Sequence, residues 1–289
     1  MAQLGVIRPA YEPRSRDYVD DVIVLAAHLL AKGMAYERNG SVYFRGTDVA
    51  SRSGLDRDQA IELARAHGDN PGNPDKDDPL AVALWQRYVG DEPAWPSPWG
   101  PGRPGWQAEC TAMSVATFGP TVDLHVGGED LAFPHHAYEA ALAEAFTGVQ
   151  PFARAWMHVG SVLTEGEKMA KSAGNLVYVH DVLDRFPPAA LRLLILSRRW
   201  SEPWEFTEAG LEQAARELEN LWRYGSASGD RDVAEHKVAL ALLDDLDIPR
   251  ALPSPRRPAD KCCATPSRCL GCRKGWTELL VVRRRDGLP

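Results

Sequence analysis

Two short stretches of this chain carry residue types that chemistry can use. Cys110, His135 and Glu139 offer a thiol, an imidazole and a carboxylate. His135 and Glu139 are four residues apart, so a helix would turn both to one side. Such a donor set suits zinc, whose usual protein ligands are of these three types. Further on, Lys168-Met169-Ala170-Lys171-Ser172 follows a turn at Thr164-Glu165-Gly166-Glu167 and places two ammonium groups and a hydroxyl in a short loop. Compact positive charges so spaced suit a polyphosphate, where they meet charge that develops during phosphoryl or nucleotidyl transfer. A metal site and a phosphate loop in one chain point to a nucleotide-using enzyme.

Taken singly, each signal has a plainer reading. A lone cysteine is commonly a small buried apolar residue. His135-His136 with Glu139 also fit the satisfied first turn of a helix, and Lys168 with Lys171 fit a solvated turn. Three protein ligands leave a four-coordinate shell one short, to be filled by another side chain or by a substrate thiolate. Gly128-Glu129-Asp130 sits after a predicted strand. There, glycine permits close backbone approach and Asp130 can accept from ribose hydroxyls; an ordinary turn with a helix cap is the alternative. Order and spacing within one chain lift these signals together.

The elements that must position them follow from periodicity. Val19, Val22, Ile23, Ala26, Leu29 and Leu30 form one stripe, predicting a helix over 15–34 with Ser15 as N-cap and Gly33 as stop. Asn39-Gly40 between 35–38 and 41–44 is a two-residue hairpin signal. A short helix is predicted over 56–67. The stretch 70–105 is dense in proline, glycine and tryptophan, and its tryptophans argue for an ordered irregular loop rather than disorder. Strands are predicted at 122–126 and 156–163, and helices at 135–146, 188–198 and 207–223. Alternating strands and helices, with the informative residues at strand ends, predict an α/β fold with a parallel sheet that binds ligands beyond its carboxyl ends.

The length of 289 residues allows one large domain or two small ones, and a composition of 44% hydrophobic and 25% charged residues is ordinary for a globular protein. A net charge of −7 gives no overall attraction to nucleic acid or an anionic membrane, although a local patch is compatible with it. No apolar run approaches the roughly 20 residues that span a bilayer, and the first residues lack the design of a secretory signal. The chain therefore reads as cytoplasmic. Four of the five cysteines, Cys262, Cys263, Cys269 and Cys272, crowd into the end of the chain, which is no disulfide framework for the main domain. With nine Lys/Arg against three Asp/Glu between Arg256 and Asp286, and little apolar material around the thiols, that tail is predicted to be poorly ordered rather than a zinc knuckle. Gly225 to Asp230 reads as a linker.

The combination Gly105-Trp106-Gln107-Ala108-Glu109-Cys110, Gly127 to His136, Trp156-Met157-His158, and Lys168 to Ser172 with Gly174-Asn175 resembles the cysteinyl-tRNA synthetase family. That class I family includes a close relative, the ligase that joins cysteine to an amino-sugar inositol in mycothiol synthesis. Resemblance runs from about Glu12 to Trp222. It implies a partial Rossmann-type class I synthetase core over 1–200, a helical segment over 201–224, and a linker with a low-order tail over 225–289. By the same resemblance Cys110, His135 and Glu139 are zinc ligands that hold the substrate thiolate, and Trp106 lines the amino-acid pocket. Gly128 and Asp130 meet the ribose of ATP, while Lys168, Lys171 and Ser172 belong to the loop that stabilises the triphosphate. The implied chemistry is ATP-dependent activation of cysteine, with magnesium, and transfer to tRNA. An amino-sugar acceptor is the alternative within the family, and an inactive zinc-binding relic the alternative outside it.

Departures from the family's pattern set further expectations. The first Rossmann half, with its histidine-containing phosphate motif and a further cysteine ligand, is not found before Cys110. Gln107-Ala108, Val126 and Ala170 stand where the family usually has other residues, and no anticodon-binding domain follows Trp222. The chain is thus expected to be weakly active or inactive alone, as a truncated product or as half of a split enzyme completed by a separate chain.

Overall fold

The computed structural model of the chain describes residues 1–91, 93–224 and 231–252. These residues form two compact units, Tyr11–His158, and Met1–Ala10 together with the chain from Val159 onward. The division falls inside the stretch 1–200 that the sequence suggests as one core.

In the unit Tyr11–His158, a 3-10 turn at Ser15–Tyr18 leads into helix α1 (Val19–Ala31), whose Val22, Leu25, Ala26 and Leu29 are fully buried. Ser15 makes no capping bond; the stop is as expected, with Gly33 at φ +70° and its N–H donating to Leu30 O. Strands β1 (Ala35–Arg38) and β2 (Ser41–Phe44) form the hairpin, and Asn39 and Gly40 both take positive φ, as a type I′ turn requires. After α2 (Val49–Arg52), helix α3 (Arg57–Ala66) opens on a capping box in which Asp56 accepts from Gln59 N at 2.8 Å and Gln59 reaches back to Asp56 N.

The stretch 70–105 is not wholly irregular. It supplies β3 (Val82–Arg87) and β4 (Gly102–Pro104), completing an antiparallel sheet in the order β1-β2-β3-β4. Leu84 and Trp85 on β3 are fully buried, so both faces of the strand are covered and the alternation that marks a half-exposed strand is missing. The loop before it is pinned by polar contacts: Lys76 Nζ bonds both oxygens of Asp69 at 2.6 and 2.7 Å, Asn39 donates to Asp75, and Asp77 N donates to the Tyr36 hydroxyl.

Helix α4 (Trp106–Phe118), β5 (Val122–Gly128), α5 (Ala137–Thr147) and β6 (Ala153–Val159) complete this unit. Val122 N donates to Phe152 O, so β5 and β6 start side by side, the parallel arrangement of a strand-helix-strand unit. Buried Val22, Leu25, Leu29, Val42, Leu84, Trp85, Tyr138 and Leu142 make the main core, each contributing on the order of 1.5–3 kcal/mol by burial.

The other unit contains β7 (Val162–Thr164), β8 (Glu167–Lys168), α6 (Val179–Leu183), α7 (Pro188–Leu196), β9 (Trp204–Glu205), α8 (Glu208–Tyr224), α9 (Arg231–Leu243) and α10 (Ile248–Ala251). The expected strand over 156–163 is broken between β6 and β7. Gly160 lies there against the backbone of Glu202 and Pro203, where a side chain would not fit. β7 pairs antiparallel with β8 and parallel with β9. Among the described residues, parallel pairing is therefore confined to the smaller sheets, and the four-stranded sheet is antiparallel. Leu191, Leu194 and Leu211 pack with Leu4 and Val182, and Leu193 packs with Leu218. Helices α9 and α10 fall within the segment expected to be linker and tail. The linker 225–230 and the cysteine-rich tail lie outside the described residues. No helix among the described residues is long and apolar enough to cross a membrane.

Candidate active site

Gly105 begins the site. It carries the chain from β4 into α4 against the Ala83 carbonyl, which occupies the space of any Cβ, and its N–H donates to Leu84 O. Trp106 and Cys110 then sit one turn apart on α4 and share a face. α4 packs on α5, and the Thr111 hydroxyl bonds Gln107 O at 2.8 Å and meets Glu139 O at 3.5 Å. Between β5 and α5 the chain makes a wide turn interrupted at Phe133, whose φ of −141° and ψ of 136° are extended. Helix α5 therefore starts at Ala137, two residues later than the sequence suggests, yet His135 and Glu139 still face the same side.

Ligand atoms of Cys110, His135 and Glu139 lie within 4.8 Å of one another. Glu139 is 1% exposed and His135 5%. Glu139 Oε2 and His135 Nδ1 are buried without hydrogen-bond partners, a costly arrangement unless a cation meets the carboxylate. Burial, with Glu139 and Glu109 nearby, pushes the Cys110 thiol up to about 12, and burial lowers His135 from its ordinary value. A neutral imidazole, a carboxylate and a thiol that a divalent cation would deprotonate are the donor chemistry of zinc, so the residues fit that ion. Trp106 is half exposed and tilts over the His135 ring with centroids 4.2 Å apart, placing an aromatic wall beside the cluster.

Further aromatic and histidine side chains, given no site role by the sequence, lie beside the trio. His125, in mid-strand β5, brings Nε2 to 3.3 Å from Glu139 Oε2 and sits edge-on to His136. His136 Nδ1 meets His158 Nε2 at 2.9 Å, and Trp156 stacks on His158. Burial pushes His136 down to about 3, with His125, His158 and His135 adding to the effect, and His158 is lowered as well. Both rings are thus neutral, one donating and the other accepting. A histidine in a short strand that ends in two glycines was the signal available for His125.

Beside this cluster lies a cleft of about 540 Å³, whose lining includes Arg52, Asp130, His136, Trp156 and His158. Asp130 folds back so that its Oδ1 lies 2.5 Å from where a Cβ on Gly128 would stand. In the other unit, Glu165 and Gly166 take the positive φ of a tight hairpin between β7 and β8. Asn175 then ties the loop carrying Lys168, Lys171 and Ser172: its Oδ1 accepts from Ala170 N at 2.9 Å and its Nδ2 donates to Lys168 O at 3.1 Å. Lys168, Lys171 and Ser172 are exposed.

The family model described as tRNA synthetases class I (C) catalytic domain matches residues 1–216. Cysteine--tRNA ligase of Rhodospirillum rubrum is 43% identical over 260 residues, 87% of this chain and 56% of the relative. The Thermus thermophilus protein of the same name is 43% identical over 269 residues, 87% of this chain and 55% of the relative. The chain thus spans about half the length of these curated relatives. Among solved structures, Mycobacterium tuberculosis methionyl-tRNA synthetase in complex with methionyl-adenylate superposes with a TM-score of 0.57 at 15% identity, over 86% of this chain and 65% of that one, a likeness of fold. Matched by its catalytic-domain model over three-quarters of its length, this chain belongs to the class I (C), or cysteinyl, tRNA synthetase family.

Proposed function

We propose that the chain is the catalytic part of a cytoplasmic cysteine--tRNA ligase-like enzyme that activates cysteine with ATP and transfers it to tRNA. The observation that carries this is the trio of a half-buried Cys110 with buried His135 and Glu139, whose carboxylate oxygen has no hydrogen-bond partner. Zinc bound there would select a thiol over a hydroxyl by softness, which distinguishes cysteine from serine. Trp106 closes the side-chain pocket. Asp130, at the end of β5, accepts from the ribose hydroxyls of ATP, with Gly128 allowing the approach. Lys168 and Lys171 neutralise the triphosphate, with magnesium, as the cysteine carboxylate attacks the α-phosphorus and pyrophosphate leaves. Ser172 adds a hydroxyl donor. Catalysis of this kind is positioning and charge stabilisation rather than proton transfer. The names of the relatives favour tRNA over an amino-sugar as acceptor.

Cysteine-dependent ATP–pyrophosphate exchange, with serine as control, tests the proposal. Exchange with cysteine that is lost in Cys110→Ala and in Lys171→Ala supports it. A zinc-loaded chain that exchanges no faster with cysteine than with serine overturns it.

A further inference from the structure

Beside the metal trio lies a second, smaller cavity of about 130 Å³. Trp106 and His135 line it, and it shares His67 with the larger cleft that holds Asp130, yet neither Cys110 nor Glu139 reaches it. No lysine or arginine lines it, and both oxygens of its one carboxylate, Asp69, are held by Lys76 Nζ at 2.6 and 2.7 Å. Such a lining offers no cation to a phosphate and suits a neutral ring.

The polar groups that remain are two amides and an imidazole. Gln86 Oε1 accepts from Arg103 at 3.2 Å, which fixes that amide and leaves its NH₂ as a donor. His67 Nδ1 donates to the Leu63 carbonyl at 2.8 Å, so in the neutral ring the other nitrogen is an acceptor. Gln107 is half-buried, and its side-chain amide has no hydrogen-bond partner among the described residues. Half of the Trp106 indole is exposed. An aromatic face with both a donor and an acceptor beside it matches an unstacked adenine, whose N7 accepts and whose N6 amine donates.

We infer that this cavity receives the unpaired adenine at the 3′ end of the acceptor RNA, stacked on Trp106 and read by Gln107. This rests on the reading above in which the acceptor is a tRNA. Gln86 and His67 complete the edge that faces the base. A nucleoside seated there lies next to both the metal trio and the cleft proposed for ATP, where its ribose must come for transfer.

The test is fluorescence anisotropy of the full chain with 5′-labelled RNA trinucleotides CCA and CCU. The two probes carry the same phosphates, so a difference between them reports the last base. CCA is expected to bind at least about fivefold more tightly, the lower end of what one amide–base pair discriminates. Gln107→Ala should remove that preference and leave ATP affinity unchanged; Gln107 lies in the first turn of a helix, where alanine is well tolerated. Equal binding of the two probes, or a preference that survives Gln107→Ala, overturns the inference. So does a preference lost in Asp130→Ala and kept in Gln107→Ala, because the adenine would then occupy the ATP cleft. Calorimetric binding of a glucosaminyl-inositol that depends on Gln107, with no preference for CCA, overturns it in favour of a sugar acceptor. Cysteine-dependent ATP–pyrophosphate exchange separates the two levels. A parent that exchanges but shows no preference for CCA overturns this inference alone, whereas a parent without exchange overturns the functional reading while the binding comparison still decides the cavity.

Discussion

Replacing Glu139 by glutamine should change stability in opposite directions with and without zinc. In the metal-free protein Glu139 Oε2 is buried with no hydrogen-bond partner, while the nearby His125 and His135 rings stand at 3.3 and 3.8 Å. A buried polar group left unmet costs about 1–3 kcal/mol. Glutamine removes the charge and offers an N–H that a neutral imidazole nitrogen can accept. The metal-free Glu139→Gln protein is therefore expected to be more stable by about 1–3 kcal/mol, or roughly 2–12 °C at about 2–4 °C per kcal/mol for a protein of this size. At zinc concentrations near 100 times the dissociation constant, the parent should gain about 2.7 kcal/mol, and the variant should gain almost none. Thermal melts in EDTA and in buffered zinc measure both effects. Tryptophan fluorescence is a local reporter, because Trp106 lies against His135 and Trp156 against His125. A variant less stable in EDTA by more than about 1 kcal/mol that keeps the full zinc shift would refute the reasoning; Glu139 would then be a structural acceptor rather than a metal ligand.

Gly127→Ala would bring a Cβ to 2.5 Å from His136 Cε1 and 2.8 Å from its Nε2. Denaturant unfolding should show a loss of about 1–3 kcal/mol, against the small gain expected where alanine fits. Arg52→Ala strands Glu144, a 7% exposed carboxylate that Arg52 meets at 2.6 Å and that also accepts from Phe152 N. Because the arginine is itself partly exposed, the expected loss is about 1–3 kcal/mol rather than that of a fully buried pair, with part regained in the double variant Arg52→Ala/Glu144→Gln. Metal-free protein should also lose stability on acidification. His136 is held neutral down to about 3, so the unfolded chain binds the extra proton first, and the stability present above the ordinary imidazole range falls as pH drops through it. Between pH 6.5 and 5 this amounts to about 2 kcal/mol, and His136→Asn should flatten the pH profile of the melting temperature.

Local chemistry decided how much of this was legible in advance. Asn39-Gly40 carries its own turn geometry, and the stripe from Val19 to Leu30 carries its period, so hairpin and helix were readable to within a few residues. Helix α4 was not, although it holds Trp106 and Cys110. Small or partly buried residues surround it because α1, α5 and β3 all pack on it, leaving no polar face to mark a period. β3 was hidden in the same way, by burial on both faces within a stretch rich in proline and glycine. At the site, residues with a fixed spacing or motif were nominated. His125 and His158 join it through strand pairing and side-chain contact, which one-dimensional spacing does not encode.

The pinned loop ahead of β3 has a consequence for how this unit opens. Its anchors reach into three different elements: Asn39 in the hairpin turn, Tyr36 on β1, and Arg57 on α3, which meets Asp78 at 2.9 Å. The buried ammonium of Lys76, held by both oxygens of Asp69, adds a fourth. Releasing one anchor leaves the others holding, so excursions of the loop are all-or-none rather than gradual. In hydrogen exchange the amides of Asp77 and Leu80, which donate to the Tyr36 hydroxyl and the Asp78 carboxylate, should slow down together and share one opening free energy. A protease should likewise find no early cut between Asp69 and Leu80, despite a composition that reads as an open loop.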